Sequence, residues 1–312
     1  MVETVKLLAL VGPTAVGKTA LSMALAQDIN AEIISCDSMQ IYRGMDIGTA
    51  KASLAERETV PHHLIDIVDP DVDFTVVDYQ NLARQEVIRL NQADKPALLV
   101  GGTGLYYQAL VDDFNFFPME SRDKVRKKWE NICQEQGLSF VYQELLQVDE
   151  VYARKVGCND QKRIIRALEV WELTGEPFSS LQRRNEDRYQ LSVVGLYVER
   201  DQLYRRIEER VEKMLADGLI EEVIGLRQLG YDLRLKAMNS LGYKQVNYYL
   251  EGMLSQADML REIKLETRHY AKRQLTWFRK DKRIAWINVE NDDASALLKK
   301  IRVKMEGDYS EA

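Results

Sequence analysis

The stretch "GPTAVGKTALS", residues 12–22, matches the phosphate-loop template G-x-x-x-x-G-K-[ST] from Gly12 to Thr19. It follows the apolar run "VKLLALV" (5–11) and leads into a helical pattern, and this context distinguishes a genuine phosphate loop from a chance match. Backbone N–H groups of such a loop converge on an anion, Lys18 adds a positive charge, and the Thr19 hydroxyl is placed to bind Mg²⁺. The predicted anion-binding residues are Gly12, Pro13, Thr14, Ala15, Val16, Gly17, Lys18 and Thr19.

The sequence around this loop alternates between short β-branched runs and helical patterns, which is typical of a parallel sheet covered by helices on both faces. The predicted strands are residues 5–11, 31–36, 63–68, 96–100, 190–198 and 283–289. The predicted helices of this part are residues 18–29, 76–92, 204–218 and 219–230. The sequence therefore predicts an α/β fold with a P-loop NTPase-like parallel sheet core flanked by helices.

Between the fourth and fifth predicted strands the pattern changes to charged amphipathic helices. Examples are "SRDKVRKKWENICQEQGL" (121–138) and "DQKRIIRALEVWELTG" (160–175), and no convincing strand interrupts them. We therefore expect a P-loop catalytic core made of residues 1–113 and 190–312, with an all-helical insertion domain at residues 114–189.

Composition restricts the class of protein. The chain has 312 residues, 46% of them hydrophobic, which is enough for a globular core, and its apolar runs are too short to span a membrane. Its three cysteines, Cys36, Cys133 and Cys158, form no C-x-x-C pair, so neither a disulfide framework nor a cysteine-rich zinc site is indicated. His62 and His63 point to opposite faces of a strand and cannot bind one ion. We expect a cytoplasmic, monomeric protein without membrane contact.

Positive charge is concentrated late in a chain whose net charge is −6. Residues 261–283 contain nine basic and three acidic residues, with Trp277 and Phe278 among them. This segment is either an electrostatic footprint for phosphates or a solvated helix face. We expect Trp277 itself to pack in the core.

Asp37 follows the second predicted strand, so it should lie at the carboxyl edge of the sheet, where ligands of open α/β sheets bind. A single Asp after a strand is often a cap or turn residue. Beside a phosphate loop, however, its carboxylate is suited to accept a proton from an attacking nucleophile. A phosphoryl-transferring NTPase usually carries a second acidic residue after the strand at 96–100, where Gly101 and Gly102 stand instead. A small-molecule or nucleotide kinase is weakened by this absence but stays open.

Several motifs in series resemble those of the bacterial tRNA dimethylallyltransferase family, also called tRNA isopentenyltransferases. They are "GPTAVGKT", "DSMQIYRGMDIGTAK", "PHHLIDI", "GGTGLYYQAL", "DQKRIIRALEV", "RIEERVEKMLADGLIEEV", "LGYKQ" and "AKRQLTWFRKD". The resemblance runs from the phosphate loop nearly to the end of the chain. It implies transfer of the dimethylallyl group of dimethylallyl diphosphate to the N6 amine of the adenine immediately 3′ of the tRNA anticodon, with release of diphosphate.

The resemblance also implies site residues and partners. The catalytic residues would be Asp37, Lys18, Thr19 and Arg210. Arg210 would contact the diphosphate, as would Arg206, which lies one helical turn away on the same face. The residues near the target base would be Asp37, Ser38, Met39, Gln40 and Thr103. The insertion would contact the tRNA anticodon stem-loop through Gln161, Lys162, Arg163, Ile164, Ile165 and Arg166, and Thr19 would bind Mg²⁺.

The chemistry of this transfer agrees with the residues present. Ionising the allylic C–O bond requires cations around the leaving diphosphate. The adenine amine is a poor nucleophile, so it needs an acceptor for its proton, and Asp37 fits that role. Two other interpretations stay open at this point, the kinase and a nucleotide-dependent RNA-binding switch without chemistry. The basic residues of the insertion and of residues 206–210 could also serve only in ion pairs within the protein.

Overall fold

The computed structural model describes residues 5–114, 122–181, 188–290 and 292–310, except for the side chains of residue 122 and of residues 306–310. The strands are β1 (Val5–Val11), β2 (Glu32–Cys36), β3 (His62–His63), β4 (Ala97–Gly101), β5 (Tyr189–Tyr197) and β6 (Ile284–Asn288). They form one parallel sheet with the order β3-β2-β4-β1-β5-β6. The predicted α/β class and parallel sheet are thereby confirmed.

Helices account for most of the remaining described residues. They are α1 (Lys18–Asp28), α2 (Leu54–Thr59), α3 (Val76–Gln92), α4 (Gly104–Val111), α5 (Arg122–Gln136), α6 (Leu138–Val148), α7 (Glu150–Val156), α8 (Gln161–Thr174), α9 (Phe178–Leu181), α10 (Arg200–Ala216), α11 (Leu219–Gln228), α12 (Tyr243–Leu250), α13 (Gln256–Phe278) and α14 (Ala294–Ser310). Among these described helices, none combines the length and apolarity needed to cross a membrane.

The central strand β1 determines where the site lies. It pairs with β4 on one side and β5 on the other, with Leu8 opposite both Leu98 and Ser192. Residues 7–11 are buried, as expected for a strand covered on both faces. Because the strands are parallel, the segments that follow β1, β2 and β4 emerge at one edge of the sheet. The phosphate loop, Asp37 and Gly101 are thereby brought together.

Helix α3 shows how the sequence specifies a covering helix. Its first turn is fixed by a capping box in which the Thr75 hydroxyl accepts the Asp78 N–H and the Asp78 carboxylate accepts the Thr75 N–H. Tyr79, Ala83 and Val87 recur at helical spacing and are fully buried against the sheet. The predicted bounds, 76–92, agree with the structure.

The strand predicted at residues 63–68 is wrong beyond His63. Pairing with β2 stops there, and the backbone turns away because Leu64 and Asp66 adopt positive φ angles of 63° and 55°. The Asp66 carboxylate is held in this turn by Lys51 at 2.5 Å and Arg57 at 2.6 Å. A short apolar, β-branched run predicted a strand, but this ion-pair cluster holds the chain in a turn out of the sheet.

The chain divides into two compact units, Met1–Val111 with Asp187–Ala312, and Asp112–Glu186. We call them the core unit and the insertion unit. The boundaries predicted from the sequence, after residue 113 and after residue 189, lie two and three residues from these. The second structural boundary, between residues 186 and 187, falls within residues 182–187, which lie outside the described residues.

The insertion unit has its own apolar core. Trp129, Val141, Leu145 and Leu168 pack in it, and these residues come from α5, α6 and α8. One carboxylate, Glu169, is fully buried beside this core and is paired with Arg126 and Arg166. A buried carboxylate requires such partners because burial without them is strongly unfavourable.

Candidate active site

The phosphate loop is shaped by glycine. Gly12 has a φ angle of +154°, and a Cβ there would lie 2.7 Å from the Leu196 carbonyl oxygen, so a side chain does not fit. Gly17 has a φ angle of +101° and immediately precedes α1, which begins at Lys18. The Lys18 ammonium donates to the carbonyl oxygens of Gly12 at 3.0 Å and Pro13 at 2.8 Å. The predicted strand-loop-helix arrangement is therefore present, with the lysine lying over the loop.

Two residues of the phosphate loop, Val16 and Thr14, form contacts within the protein that differ from the anion binding predicted by the motif. The Val16 side chain is buried in the core, so only its backbone is available to an anion. The Thr14 N–H donates to the Gln274 side chain at 2.9 Å. This corrects the expectation that the Thr14 amide is available to a diphosphate, although Thr14 still lines the cavity described next.

A cavity of about 420 Å³ opens beside the loop at the carboxyl edge of the sheet. Its lining brings together all four predicted catalytic residues with other residues that were not predicted from the sequence. The residues relevant to the chemistry are Thr14, Ala15, Gly17, Lys18, Thr19, Asp37, Gln40, Arg206, Arg210, Tyr270 and Gln274. The predicted catalytic set of Lys18, Thr19, Asp37 and Arg210 therefore shares one cavity.

Helix α10 supplies two cations to this cavity. Its buried stripe contains Leu203, Ile207 and Val211, which directs the neighbouring positions 206 and 210 toward the cavity. Arg206 donates to the Val16 carbonyl oxygen at 3.2 Å and so also supports the loop. Within the described part of the chain, neither arginine forms an ion pair with a carboxylate. This excludes, for the described residues, the alternative that they serve in ordinary surface pairing.

The positive charges in the cavity perturb one another. Burial and the neighbouring Arg210 lower the pKa of Lys18 to about 7, with Asp37 acting in the opposite direction. Burial also lowers the pKa of Arg210, and Asp37 again opposes the shift. Cations held under these conditions are suited to stabilise negative charge that develops between them.

Asp37 serves as a turn residue and also lines the cavity. Its Oδ1 accepts the Met39 N–H at 2.9 Å, which is the local role expected of an Asp after a strand. Its neighbours fix it further, because the Ser38 N–H donates to Thr103 Oγ1 at 3.1 Å and the Thr103 N–H donates to the Cys36 carbonyl at 3.1 Å. Thr103 is thus tied to the backbone on both sides of Asp37.

The side chains of Met39 and Gln40, which were predicted to lie near the base, mainly contact other residues of the protein. Met39 packs against the core. The Gln40 side chain accepts a hydrogen bond from Ser35 at 2.9 Å and donates to the carbonyl oxygens of Thr49 and Ala50 at 3.3 and 3.4 Å. Gln40 therefore lines the cavity and also anchors the segment that forms one of its walls.

Two cavity residues of α13, Tyr270 and Gln274, were not predicted as site residues. Gln274 is 5% exposed and lies on the buried stripe formed by Ile263, Thr267, Ala271 and Phe278. A glutamine within such a stripe is the signal that could have identified it, because a buried amide needs partners. Burial raises the pKa of Tyr270, and Asp37 contributes to that shift.

The predicted RNA-contacting segment of the insertion unit divides into exposed and buried residues. Ile164 and Ile165 are 0% and 4% exposed and belong to the core of the unit. This corrects the expectation that their side chains contact tRNA. Arg166 pairs with buried Glu169, so it is engaged within the unit. Gln161, Lys162 and Arg163 are exposed, and Arg163 also pairs with Asp160 at 3.3 Å.

The basic segment at residues 261–283 is likewise divided. Lys264 and Arg268 pair with Glu212 and Glu208 of α10, so they hold helices together. Within the described residues, five other cations form no ion pair: Arg273, which lies 5.9 Å from the centre of the Tyr270 ring, and Lys272, Arg279, Lys280 and Lys282. Trp277 packs against Gly104, where a Cβ would lie 2.3 Å from the indole. That contact fits the expected packing role of Trp277.

The donors present fit a magnesium ion that is shared with a diphosphate. Mg²⁺ usually takes one or two protein oxygens and completes its coordination with substrate phosphates and water. The Thr19 hydroxyl lines the cavity and makes no hydrogen bond to the described residues. The described part of the chain has no group of three or more His, Cys, Asp or Glu able to hold a metal. His63 instead contacts Glu32 at 2.7 Å, and His62 contacts the Val60 carbonyl at 2.7 Å.

Comparison with known protein sequences gives matches over most of the chain. A family model described as IPP transferase matches residues 40–281. A tRNA dimethylallyltransferase from Syntrophomonas wolfei is 58% identical over 305 residues, covering 97% of this chain and 98% of the relative. A tRNA dimethylallyltransferase from Moorella thermoacetica is 47% identical over 294 residues, covering 92% and 90%.

Comparison with solved structures gives similar folds. The full-length tRNA isopentenylpyrophosphate transferase from Bacillus halodurans has a TM-score of 0.73 and 39% sequence identity, with 98% of each chain covered. A eukaryotic dimethylallyltransferase acting on tRNA has a TM-score of 0.80 and 25% identity, with 98% of this chain and 79% of that one covered. The fold is thus shared with these solved structures.

Proposed function

The chain belongs to the IPP transferase family, and from this premise we propose that it transfers the dimethylallyl group of dimethylallyl diphosphate to tRNA. The acceptor is the N6 amine of the adenine immediately 3′ of the anticodon, and diphosphate is released. The observation that carries the proposal is one cavity in which Lys18, Arg206 and Arg210 face a carboxylate, Asp37. The curated relatives favour this transfer over phosphoryl transfer by a kinase.

Binding of the donor follows from the charge of the cavity. The diphosphate would lie against the N-terminus of α1, where backbone N–H groups carry partial positive charge. Lys18, Arg206 and Arg210 would surround its oxygen atoms. As the allylic C–O bond breaks, negative charge grows on the diphosphate, so these preorganised cations stabilise the transition state more than the ground state.

Asp37 would activate the acceptor. The N6 lone pair of adenine is delocalised into the ring, and the amine becomes acidic as it bonds to the allylic carbon. The Asp37 carboxylate, which already accepts one N–H from Met39 through Oδ1, has a second oxygen with which to accept this proton. Bond formation and proton loss then occur on one side of the carbon while the diphosphate leaves from the other.

Magnesium would be held between Thr19 and the donor. Its chemistry is to neutralise charge on the departing diphosphate. The absence of a carboxylate after β4, where Gly101 and Gly102 stand, leaves the Thr19 hydroxyl as the protein ligand that the phosphate-loop motif supplies.

Binding of tRNA would rely on exposed cations. Lys162 and Arg163 of the insertion unit, and Lys272, Arg279, Lys280 and Lys282 in and just after α13, are suited to contact phosphates. Such contacts position an RNA without reading its sequence. The target base has to leave its stack to be modified, which costs roughly a few kcal/mol and is cheaper in a single-stranded loop than in a duplex.

Mass spectrometry of tRNA nucleosides tests the proposal. After incubation of purified protein with dimethylallyl diphosphate, Mg²⁺ and unmodified tRNA, we expect N6-dimethylallyl adenosine and an equal amount of released diphosphate. A tRNA with guanosine in place of the adenine 3′ of the anticodon is the control and should stay unmodified. ATP consumption with a phosphorylated product would support a kinase instead, and unchanged RNA bound to the protein would support a binding switch.

A further inference from the structure

We propose that Gln274 is a positioning residue that sets the distance between the leaving group and the base. The inference rests on the proposed function, because it concerns the same cavity. It assigns a role to the side chain that joins the phosphate loop to the segment carrying Thr103. Gln274 itself would not react with either substrate.

The amide of Gln274 forms two directional contacts with the backbone. Its Oε1 accepts the Thr14 N–H at 2.9 Å, and its Nε2 donates to the Gly102 carbonyl oxygen at 2.9 Å. Both contacts span more than 170 residues of sequence, and the side chain is 5% exposed. A glutamine amide carries a donor and an acceptor, so it satisfies both backbone groups at once. Neither methionine nor an ionised glutamate can do so.

The space around the amide is closely fitted. A Cβ built on Gly102 would lie 2.2 Å from Gln274 Nε2 and 3.3 Å from the Gly12 carbonyl oxygen. The glycine therefore allows the amide to lie directly against the backbone that follows β4. Any side chain at position 102 would displace the Gln274 amide.

The bonded path continues from Gly102 to Asp37. Thr103, the next residue, donates through its N–H to the Cys36 carbonyl and accepts the Ser38 N–H with its hydroxyl, so it grips the residues on either side of Asp37. At the other end, Thr14 belongs to the loop that carries Lys18. In addition to the pairing of β4 with β1 and β2, Gln274 thus provides a side-chain link between the cations for the leaving group and the carboxylate for the incoming amine.

This link matters because the incoming amine and the departing diphosphate have to be held in line on opposite sides of the allylic carbon. A misplacement of about 1 Å can reduce the rate roughly a hundredfold even when binding is retained. Loss of the link would leave Lys18, Arg210 and Asp37 present and able to bind their substrates separately. The expected effect is therefore on the rate of transfer and not on affinity.

Steady-state and single-turnover kinetics of Gln274→Met and Gln274→Glu test this role. We expect kcat to fall by about 10- to 100-fold, with KM for tRNA and for dimethylallyl diphosphate each changed less than about threefold. Active enzyme is counted by the stoichiometry of donor binding, so that unfolded protein does not enter the rate. Gly102→Ala is a second, independent variant that should reproduce the loss of kcat, and its combination with Gln274→Met should be less than additive.

Gln80→Met is the matched control. Gln80 is also a buried glutamine, 3% exposed, and its Nε2 donates to the Ala109 carbonyl at 2.7 Å, but it does not line the cavity. Its variant should melt at a lower temperature while kcat per active site stays near that of the wild type. The positioning role is overturned if Gln274→Met keeps the wild-type kcat per active site, or if KM rises and kcat does not change. A wild-type enzyme that makes no modified tRNA in the same assay would count instead against the proposed function.

Discussion

The cavity of the core unit and the first turn of α8 in the insertion unit use basic residues in opposite ways. In the cavity, Lys18, Arg206 and Arg210 are partly withdrawn from solvent and form no ion pair within the described part of the chain. In α8, Lys162 and Arg163 are exposed to solvent. Unpaired cations are unfavourable when they are buried and nearly neutral when exposed.

This contrast indicates two kinds of ligand. Cations that stay unpaired and partly buried gain their favourable interaction when a compact anion enters, as expected for a diphosphate leaving group. Exposed cations attract a polyanion over a distance, and the loss of one can be compensated by its neighbours. This is expected of residues that contact the phosphate backbone of an RNA. Substitutions in the cavity should therefore abolish chemistry, whereas substitutions on α8 should weaken binding only.

The largest effect is expected from Asp37. Asp37→Ala should reduce transfer by about 10²- to 10⁴-fold, the range of a general base, while tRNA binding persists. Single-turnover kinetics and a filter-binding assay separate the two quantities.

Asp37→Asn serves as the control for this prediction. An asparagine still accepts the Met39 N–H, so it retains the turn but cannot take a proton. Near-normal transfer by the asparagine variant would remove Asp37 from the role of base. Loss in the alanine variant alone would assign it to the turn.

Only part of this molecule follows from local sequence pattern. The phosphate loop, the sheet and the edge position of Asp37 follow from local pattern, because each depends on neighbours in sequence. The position of Gln274 on the buried stripe of α13 is visible in the sequence, but its partners could not be found in that way, since they lie 172 and 260 residues away. The burial of Ile164 and Ile165 also depends on tertiary packing. Their place on the apolar stripe of α8 is nevertheless visible in the sequence, because Ile164 precedes Leu168 by four residues.

The bend after β3 is a further case in which tertiary contacts outweigh the local sequence pattern. Residues 63–68 form a short apolar, β-branched run typical of a strand, but the Asp66 carboxylate is held by Lys51 and Arg57. Of these, Lys51 comes from a segment fifteen residues earlier, and its side chain is 2% exposed. No periodicity within 63–68 indicates such a cluster, because the competing interaction lies outside the segment.

An intermediate effect is expected from the titration of Lys18. Its pKa is lowered to about 7 in the free enzyme, and a bound diphosphate would raise it again. The dissociation constant of the donor should therefore be nearly constant below pH 7 and rise up to about tenfold per pH unit above it. Calorimetry at pH 8 in buffers of different ionisation enthalpy should show close to one proton taken up on binding.

The sign of the accompanying stability change is opposite to that of an ordinary ion-paired lysine. The unfolded chain keeps Lys18 protonated up to its ordinary pKa of 10.5, whereas the folded enzyme loses that proton near pH 7. Between these values the unfolded state binds more protons, so this group makes folding more favourable as pH rises. Lys18→Arg, which stays charged, is the control and should remove the proton uptake. Uptake that persists in this variant would assign it to the diphosphate itself.

The smallest effect is expected for substitutions on α8. Arg163 and Arg166 of this helix were both predicted to contact tRNA, but Arg163 is exposed whereas Arg166 pairs with buried Glu169. Lys162→Ala combined with Arg163→Ala should raise KM for tRNA about three- to tenfold, leave KM for the donor unchanged, and reduce the dependence of tRNA affinity on salt by about one to two counterions. Arg166→Ala should behave differently. It removes one of the two arginines that pair with buried Glu169, so it should lower the melting temperature with little effect on KM.

Salt titrations of tRNA binding distinguish these variants, because loss of a phosphate contact changes the slope of log affinity against log salt and loss of stability does not. If Arg166→Ala lowered that slope as much as the double variant did, Arg166 would reach the RNA in spite of its pairing with Glu169. If the double variant changed neither slope nor KM, α8 would not contact RNA, and tRNA binding would fall to the unpaired cations at Lys272, Arg279, Lys280 and Lys282. The first result would add Arg166 to the RNA-binding cations of α8, and the second would reduce the contrast between the two units to the cavity alone.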